Sequence, residues 1–181
     1  MNIGVIGYSG DVDNEPVKGI KEICINLGKE LAKNGWTIFN GGRDGIMDLV
    51  SEGAKEFQGK VIGILPYEEN GNEFLDYHIK TGLDFSMRSY VLVKSVDVVI
   101  SVGGEIGTAI EILGAYANYK PVILFRNTGG WTDRIAEVLI EDKYLDNRKM
   151  ACVYSVYSID EMISLLKKIG DDKNELFSSK K

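Results

Sequence analysis

Histidine occurs once in the 181 residues, at His78, and cysteine twice, at Cys24 and Cys152. One imidazole and two thiols outside any CxxC pattern exclude a metal cage built on His or Cys and a dithiol redox motif. No metal site and no cofactor are therefore expected. Cys24 falls on the apolar stripe of a predicted helix and Cys152 in a predicted strand. Both read as reduced core thiols, as in a cytoplasmic protein. Positive charge is also short: 21 Lys and Arg stand against 27 Asp and Glu, for a net charge of −6. The chain has no basic stripe of the kind that grips nucleic acid. No apolar run reaches the roughly 18 residues of a membrane span. The start, Met1-Asn2-Ile3-Gly4, lacks a basic segment and enters a strand at once, so no signal peptide is expected. Fixed-period repeats and low-complexity blocks are missing too.

Apolar material is not lacking. It makes up 44% of the chain, enough for the full core of one domain. Its spacing alternates between short buried runs and helical stripes. Strands are predicted at Ile3–Ile6, Trp36–Phe39, Lys60–Leu65, Asp97–Val102, Pro121–Phe125 and Ala151–Val156. The first helix follows Pro16, a residue suited to a first helical turn, and carries Val17, Ile20, Cys24, Leu27 and Leu31 on one face. Further helices are predicted from Ile46 to about Phe57, from Met87 to Ser95 with Ser86 as N-cap, and from Thr108 to Asn118. Two more run from Trp131 to Leu139 and from Ile159 to Ile169. Residues 67–86 read as irregular, and the stretch from Gly170 as a polar tail. Strands alternating with helices along residues 1–170 imply one doubly wound, Rossmann-like α/β domain. Its sheet is mainly parallel, with helices on both faces, and residues 171–181 form a polar tail.

Glycine is plentiful, at 21 residues. It concentrates in turns that leave the carboxyl ends of predicted strands, where ligands of such sheets bind. Gly41 and Gly42 follow the second strand; Gly103, Gly104, Glu105, Ile106, Gly107 and Thr108 follow the Asp97–Val102 strand. Glycine lets backbone approach a bound group, and the helix start that follows offers free N–H groups to an anion. This pattern reads as a phosphate cradle, with Thr108 able to add a hydroxyl. Ser9 and Gly10 after the first strand, and Arg43 in the second turn, are weaker candidates for the same crevice. Arg88 opens a helix and is suited to hold a phosphate in bidentate fashion. Glu111 lies one helical turn beyond Thr108. It reads either as a catalytic carboxylate or as the second half of a Thr108-x-x-Glu111 capping box. His78 reads as a packed or surface histidine, and Trp131 as a core aromatic.

Taken jointly, several segments resemble the Lonely Guy proteins, often labelled possible lysine decarboxylases. The nearer resemblance is to bacterial relatives grouped with the molybdenum-cofactor carrier and DNA-processing-A-like Rossmann proteins. It covers roughly residues 2–130. Asn40-Gly41-Gly42-Arg43-Asp44-Gly45-Ile46-Met47 looks like the first glycine motif of that family, and Lys60 to Pro66 like the strand after it. Met87-Arg88 stands where the family has its Met and Arg. Gly104-Glu105-Ile106-Gly107-Thr108-Ala109-Ile110-Glu111 looks like GGxGTxxE. Two positions depart: Glu105 replaces a glycine of the phosphate motif, and Ser89 stands where the family often has Lys.

The resemblance implies a homodimer or larger assembly with a nucleotide site shared between subunits. It implies cleavage of the N-glycosidic bond of a nucleoside 5′-monophosphate to base and ribose 5-phosphate. The glycine turn, Met87 and Thr108 would hold the nucleotide, and Arg88 and Glu111 would form the catalytic pair. Loss of the base leaves oxocarbenium character on the sugar, which a carboxylate can stabilise. The alternative is a non-catalytic carrier or sensor of a nucleotide-like molecule such as molybdenum cofactor. Neither reading involves nucleic acid or a membrane as partner.

Overall fold

A computed structural model describes residues 1–178, with side chains through residue 171. Seven parallel strands form one sheet: β1 (Asn2–Gly7), β2 (Thr37–Asn40), β3 (Val61–Leu65), β4 (Tyr77–Lys80), β5 (Val98–Val102), β6 (Val122–Phe125) and β7 (Val153–Val156). Six α-helices accompany them among the described residues: α1 (Lys21–Lys33), α2 (Ile46–Lys55), α3 (Phe85–Ser95), α4 (Ile106–Ala117), α5 (Gly130–Ala136) and, after the last strand, α6 (Ile159–Ser178). The spatial order β4-β3-β2-β1-β5-β6-β7 makes this the expected Rossmann-like fold. Winding reverses between β1 and β5. At such a switch point neighbouring connections leave in opposite directions and open a crevice at the carboxyl ends of the strands.

Strand side chains alternate between two cores, as the period of two demands. Val98, Ile100 and Val102 face a core shared with Leu27, Leu31, Val50 and Leu166 from α1, α2 and α6. Val99 faces a second core with Leu92, Ile112 and Ile135 from α3, α4 and α5. All the residues named for these cores are at most 4% exposed, so each face of the sheet is sealed by three helices. Among the described residues no helix is long and apolar enough to cross a membrane. Cys24 is fully buried and carries a thiol pushed up to about 12 by that burial, while Cys152 is half-buried; both are free.

The element boundaries depart from the sequence reading in several places. The first helix, expected directly after Pro16, begins as a 3-10 turn at Lys18–Ile20 and becomes α-helical at Lys21, and Cys152 falls just before β7 rather than in it. Within the supposedly irregular stretch, β4 pairs with β3; all four of its residues are exposed, so no alternation of burial marks it. His78 lies on this edge strand and is exposed. The N-cap of α3 is Asp84 rather than Ser86: its side chain accepts from the Met87 N–H at 2.9 Å. Helix α4 starts at Ile106, two residues before Thr108. Helix α6 does not stop at Ile169 but continues through Gly170, which lies against Met1, to Ser178. The rest of the expected tail, residues 179–181, lies outside the described residues.

Candidate functional site

The crevice at the β1/β5 switch is a cavity of about 170 Å³. Its walls include Gly7 and Ser9 after β1, Gly41 and Arg43 after β2, Phe85, Arg88 and Ser89 from α3, and Glu105, Gly107, Thr108 and Glu111 from the start of α4. Of the sequence candidates, Ser9, Gly41, Arg43, Arg88, Glu105, Gly107, Thr108 and Glu111 therefore meet on one wall. Gly10, Gly42, Met87, Gly103, Gly104 and Ile106 do not line it. Met87 and Ile106 are 53% and 63% exposed beside it.

The two consecutive glycines Gly103 and Gly104 have a packing task. Both have positive φ, 62° and 97°, a region that favours glycine. A β-carbon on Gly103 would overlap the Tyr8 ring, and one on Gly104 would overlap Thr108. Three of their four backbone polar groups are also engaged. The Gly103 N–H donates to Thr128 Oγ1 at 2.8 Å, and Gly103 O accepts from Thr132 Oγ1 at 2.6 Å. Gly104 O accepts from the Trp131 N–H at 2.8 Å. The turn is thus clamped to the start of α5. Glu105 is the N-cap residue of α4 and its carboxylate makes no bond to the first turn. Gly107 follows on the cavity wall, in the helical turn whose N–H groups have no acceptor within the helix. Thr108 is buried and donates to Gly7 O at 3.2 Å, tying α4 to β1. Trp131 is half-buried on α5, with the Arg134 guanidinium 5.7 Å from its ring.

Arg88 and Glu111 are the buried charges of the site, at 7% and 8% exposure. They come from neighbouring helices, with Arg88 Nη1 3.7 Å from Glu111 Oε1. Ser89 Oγ lies 2.8 Å from the same Oε1 and 3.0 Å from the Phe85 carbonyl. Helix α4 begins too early for Glu111 to cap it, so the capping-box alternative is excluded. Instead, Glu111 turns its carboxylate to α3. Arg88 Nε is buried without a hydrogen-bond partner among the described residues. Such an orphaned donor is costly unless a ligand meets it. Burial pushes the Glu111 carboxyl above its ordinary range, and Arg88 and the Ser89 hydroxyl work against that rise. Burial lowers the Arg88 value, opposed by Glu111 and reinforced by Arg43, yet a guanidinium stays charged at any working pH.

Arg43 is held at the rim. Its Nε lies 3.2 Å from Glu69 Oε2, and its guanidinium lies 4.9 Å from the centre of the Phe85 ring. Sequence reading missed Phe85 and counted Ser89 only as an absent Lys. For Ser89 the usable signal was position: it adjoins Arg88 on a helix, so both reach one neighbour. Phe85 lay inside the stretch read as irregular and gave none.

Fold and cleft together define a Rossmann-like α/β protein with two arginines, one buried carboxylate and a helix start facing a common cavity. The chain belongs to the SLOG cluster4 family, whose model matches residues 1–163. It is similar to TM1055, solved by X-ray diffraction as a structural-genomics target, with 56% identity over 92% of this chain and 98% of that one and a TM-score of 0.91. It is also similar to the molybdenum cofactor binding protein of Rippkaea orientalis, with 32% identity over 93% of this chain and 96% of that one and a TM-score of 0.76. The molybdenum cofactor carrier protein of Chlamydomonas reinhardtii gives 30% identity, the same 93% and 96%, and the same TM-score of 0.76.

Proposed function

We propose that the cleft binds the phosphate-bearing part of a nucleotide-like molecule, and that Arg88 and Glu111 cleave the N-glycosidic bond of a nucleoside 5′-monophosphate there. The observation that carries this reading is the buried Arg88, with an unpartnered Nε, beside Glu111 on the wall of one cavity. A cavity of about 170 Å³ is below the roughly 300–1,000 Å³ of drug-sized ligand sites, so it takes one end of a nucleotide and leaves the rest at the mouth.

In this reading the Gly107 region of α4 and the two arginines meet the phosphate. Glu111 stabilises the positive charge that grows on the sugar as the base leaves. Water adds to the sugar carbon and a proton passes to the base, giving base and ribose 5-phosphate. The exposed apolar side chains of Met87 and Tyr90 on α3, and of Ile106 and Leu113 on α4, support the expectation of a homo-oligomer covering the cleft. Incubation with a panel of nucleoside 5′-monophosphates is expected to release ribose 5-phosphate, and Glu111→Gln to abolish it. Release that persists undiminished in Glu111→Gln would refute the assignment.

A second reading, a carrier of molybdenum cofactor as cargo, is favoured by the near full-length similarity to two proteins named for that cofactor. The donors of the cavity fit the phosphate that this cofactor shares with nucleotides; its pterin and metal would lie outside. Thermal melting separates the readings. A ligand at 100 times its dissociation constant adds about 2.7 kcal/mol. A carrier is stabilised by the pterin cofactor and leaves every monophosphate intact.

A further inference from the structure

We infer that Ser89 is a positioning residue for Glu111, holding Oε1 so that Oε2 alone is presented to the cavity. This rests on the reading of Glu111 as the reacting carboxylate. One donor and one charge converge on Oε1: the Ser89 hydroxyl donates at 2.8 Å, and Arg88 Nη1 stands at ion-pair distance, 3.7 Å. Oε2 makes no hydrogen bond among the described residues, and unlike Arg88 Nε it is not sealed away. A carboxylate held at one oxygen has a fixed plane and a fixed free lone pair. That is what a group needs to face charge developing at one atom.

Ser89 has a second acceptor, the Phe85 carbonyl at 3.0 Å. When Glu111 is ionised, the Ser89 proton goes to the shorter, charge-assisted bond. When Glu111 is protonated, its O–H donates to Ser89 Oγ, and the serine proton turns to Phe85 O. Glu111 thus gains or loses a proton without losing its partner or its orientation. The charged group facing Glu111 from the packed helix is Arg88; Arg43 and Glu69 act on Arg88 instead.

The test is a titration of the Glu111 side-chain carboxyl by carbon-13 NMR in full-length protein, with the resonance assigned by its loss in Glu111→Gln. In Ser89→Ala the charged form loses a donor. That loss outweighs the loss of a neutral acceptor by the protonated form, so the midpoint is expected to rise by about one pH unit. Ser89→Thr is expected to restore it, and Ser89→Cys, a weaker donor of similar size, to fall between. The Cys and Thr variants decide the matter if the Ala variant does not fold. Under turnover, the acidic limb of kcat is expected to move with the midpoint while KM changes less than twofold. A midpoint in Ser89→Ala or Ser89→Cys equal to that of the unaltered protein would overturn the inference. If no monophosphate is hydrolysed, the proposed activity fails, and the NMR titration still decides the role of Ser89.

Discussion

Gly41 and Arg88 share one space: a β-carbon on Gly41 would stand 2.6 Å from Arg88 Nη1 and 2.7 Å from Met47 Sδ. The glycine after β2 thus leaves room for a guanidinium from α3. Both obstructing atoms lie toward the ends of long side chains rather than in the backbone, so an added methyl acts on the position of the Arg88 guanidinium beside Glu111. Gly41→Ala is expected to weaken binding of a phosphate-bearing ligand about tenfold, the order of one lost charged hydrogen bond. Calorimetric titration measures this, and an unchanged melting temperature would show that the effect is local.

Removing Arg88 has a different signature. Arg88→Ala leaves Glu111 buried with the Ser89 hydroxyl but without its compensating charge, and breaking a buried pair costs about 3–5 kcal/mol. Glu111 already titrates above its ordinary range, and without Arg88 it titrates higher still. The folded state then holds a proton that the unfolded chain has released, so falling pH favours folding. The deficit against the unaltered protein is expected to be largest near pH 8 and to shrink toward pH 5. Urea denaturation at the two values checks it.

Helix α1 crosses α2 so closely that a β-carbon on Gly28 would overlap the Val50 carbonyl and stand 2.8 Å from Ala54 N. Helix propensity alone makes Gly→Ala favourable by about 1 kcal/mol. Here the obstacle is backbone of the facing helix, so the sign reverses. Gly28→Ala is expected to destabilise by about 2 kcal/mol or more, read from the urea midpoint.

Asp133 organises the loop that clamps Gly103 and Gly104. Its oxygens accept from Arg126 Nε at 2.8 Å, the Asn127 N–H at 3.0 Å and the Gly129 N–H at 2.7 Å. Burial alone would raise its carboxyl value, but the bonds from Arg126, Gly129 and Asn127 together hold it below the ordinary range. A depressed value means stability present at neutral pH and lost as pH falls through that value. Asp133→Asn is expected to cost about 1–3 kcal/mol at pH 7, with the difference fading in acid. Denaturation midpoints across pH 3–7 test this.

Six of the seven strands were legible because each is a short apolar run with buried residues. The seventh, β4, was not, because Tyr77, His78, Ile79 and Lys80 are all exposed at a sheet edge. Arg88 and Glu111 were legible as candidates through motif order. That Glu111 is not a helix cap was not legible, since it depends on α4 starting at Ile106 rather than Thr108. Gly103 and Gly104 show the converse. Their backbone geometry was readable, but whether a turn faces a ligand or a neighbouring loop is settled by a segment some 25 residues away, at Thr128.

Arg88, Ser89 and Glu111 sit on two packed helices, whereas Ser9, Arg43, Phe85 and Glu105 stand in loops or at helix starts around the mouth. Amides beneath the buried pair should therefore exchange slowly with solvent, and those around the mouth quickly. An evolving chain can alter the mouth, and with it which molecule is admitted, while the buried trio keeps its geometry. Glu105, the N-cap residue of α4 on the cavity wall, is a position where such a change acts on the mouth alone.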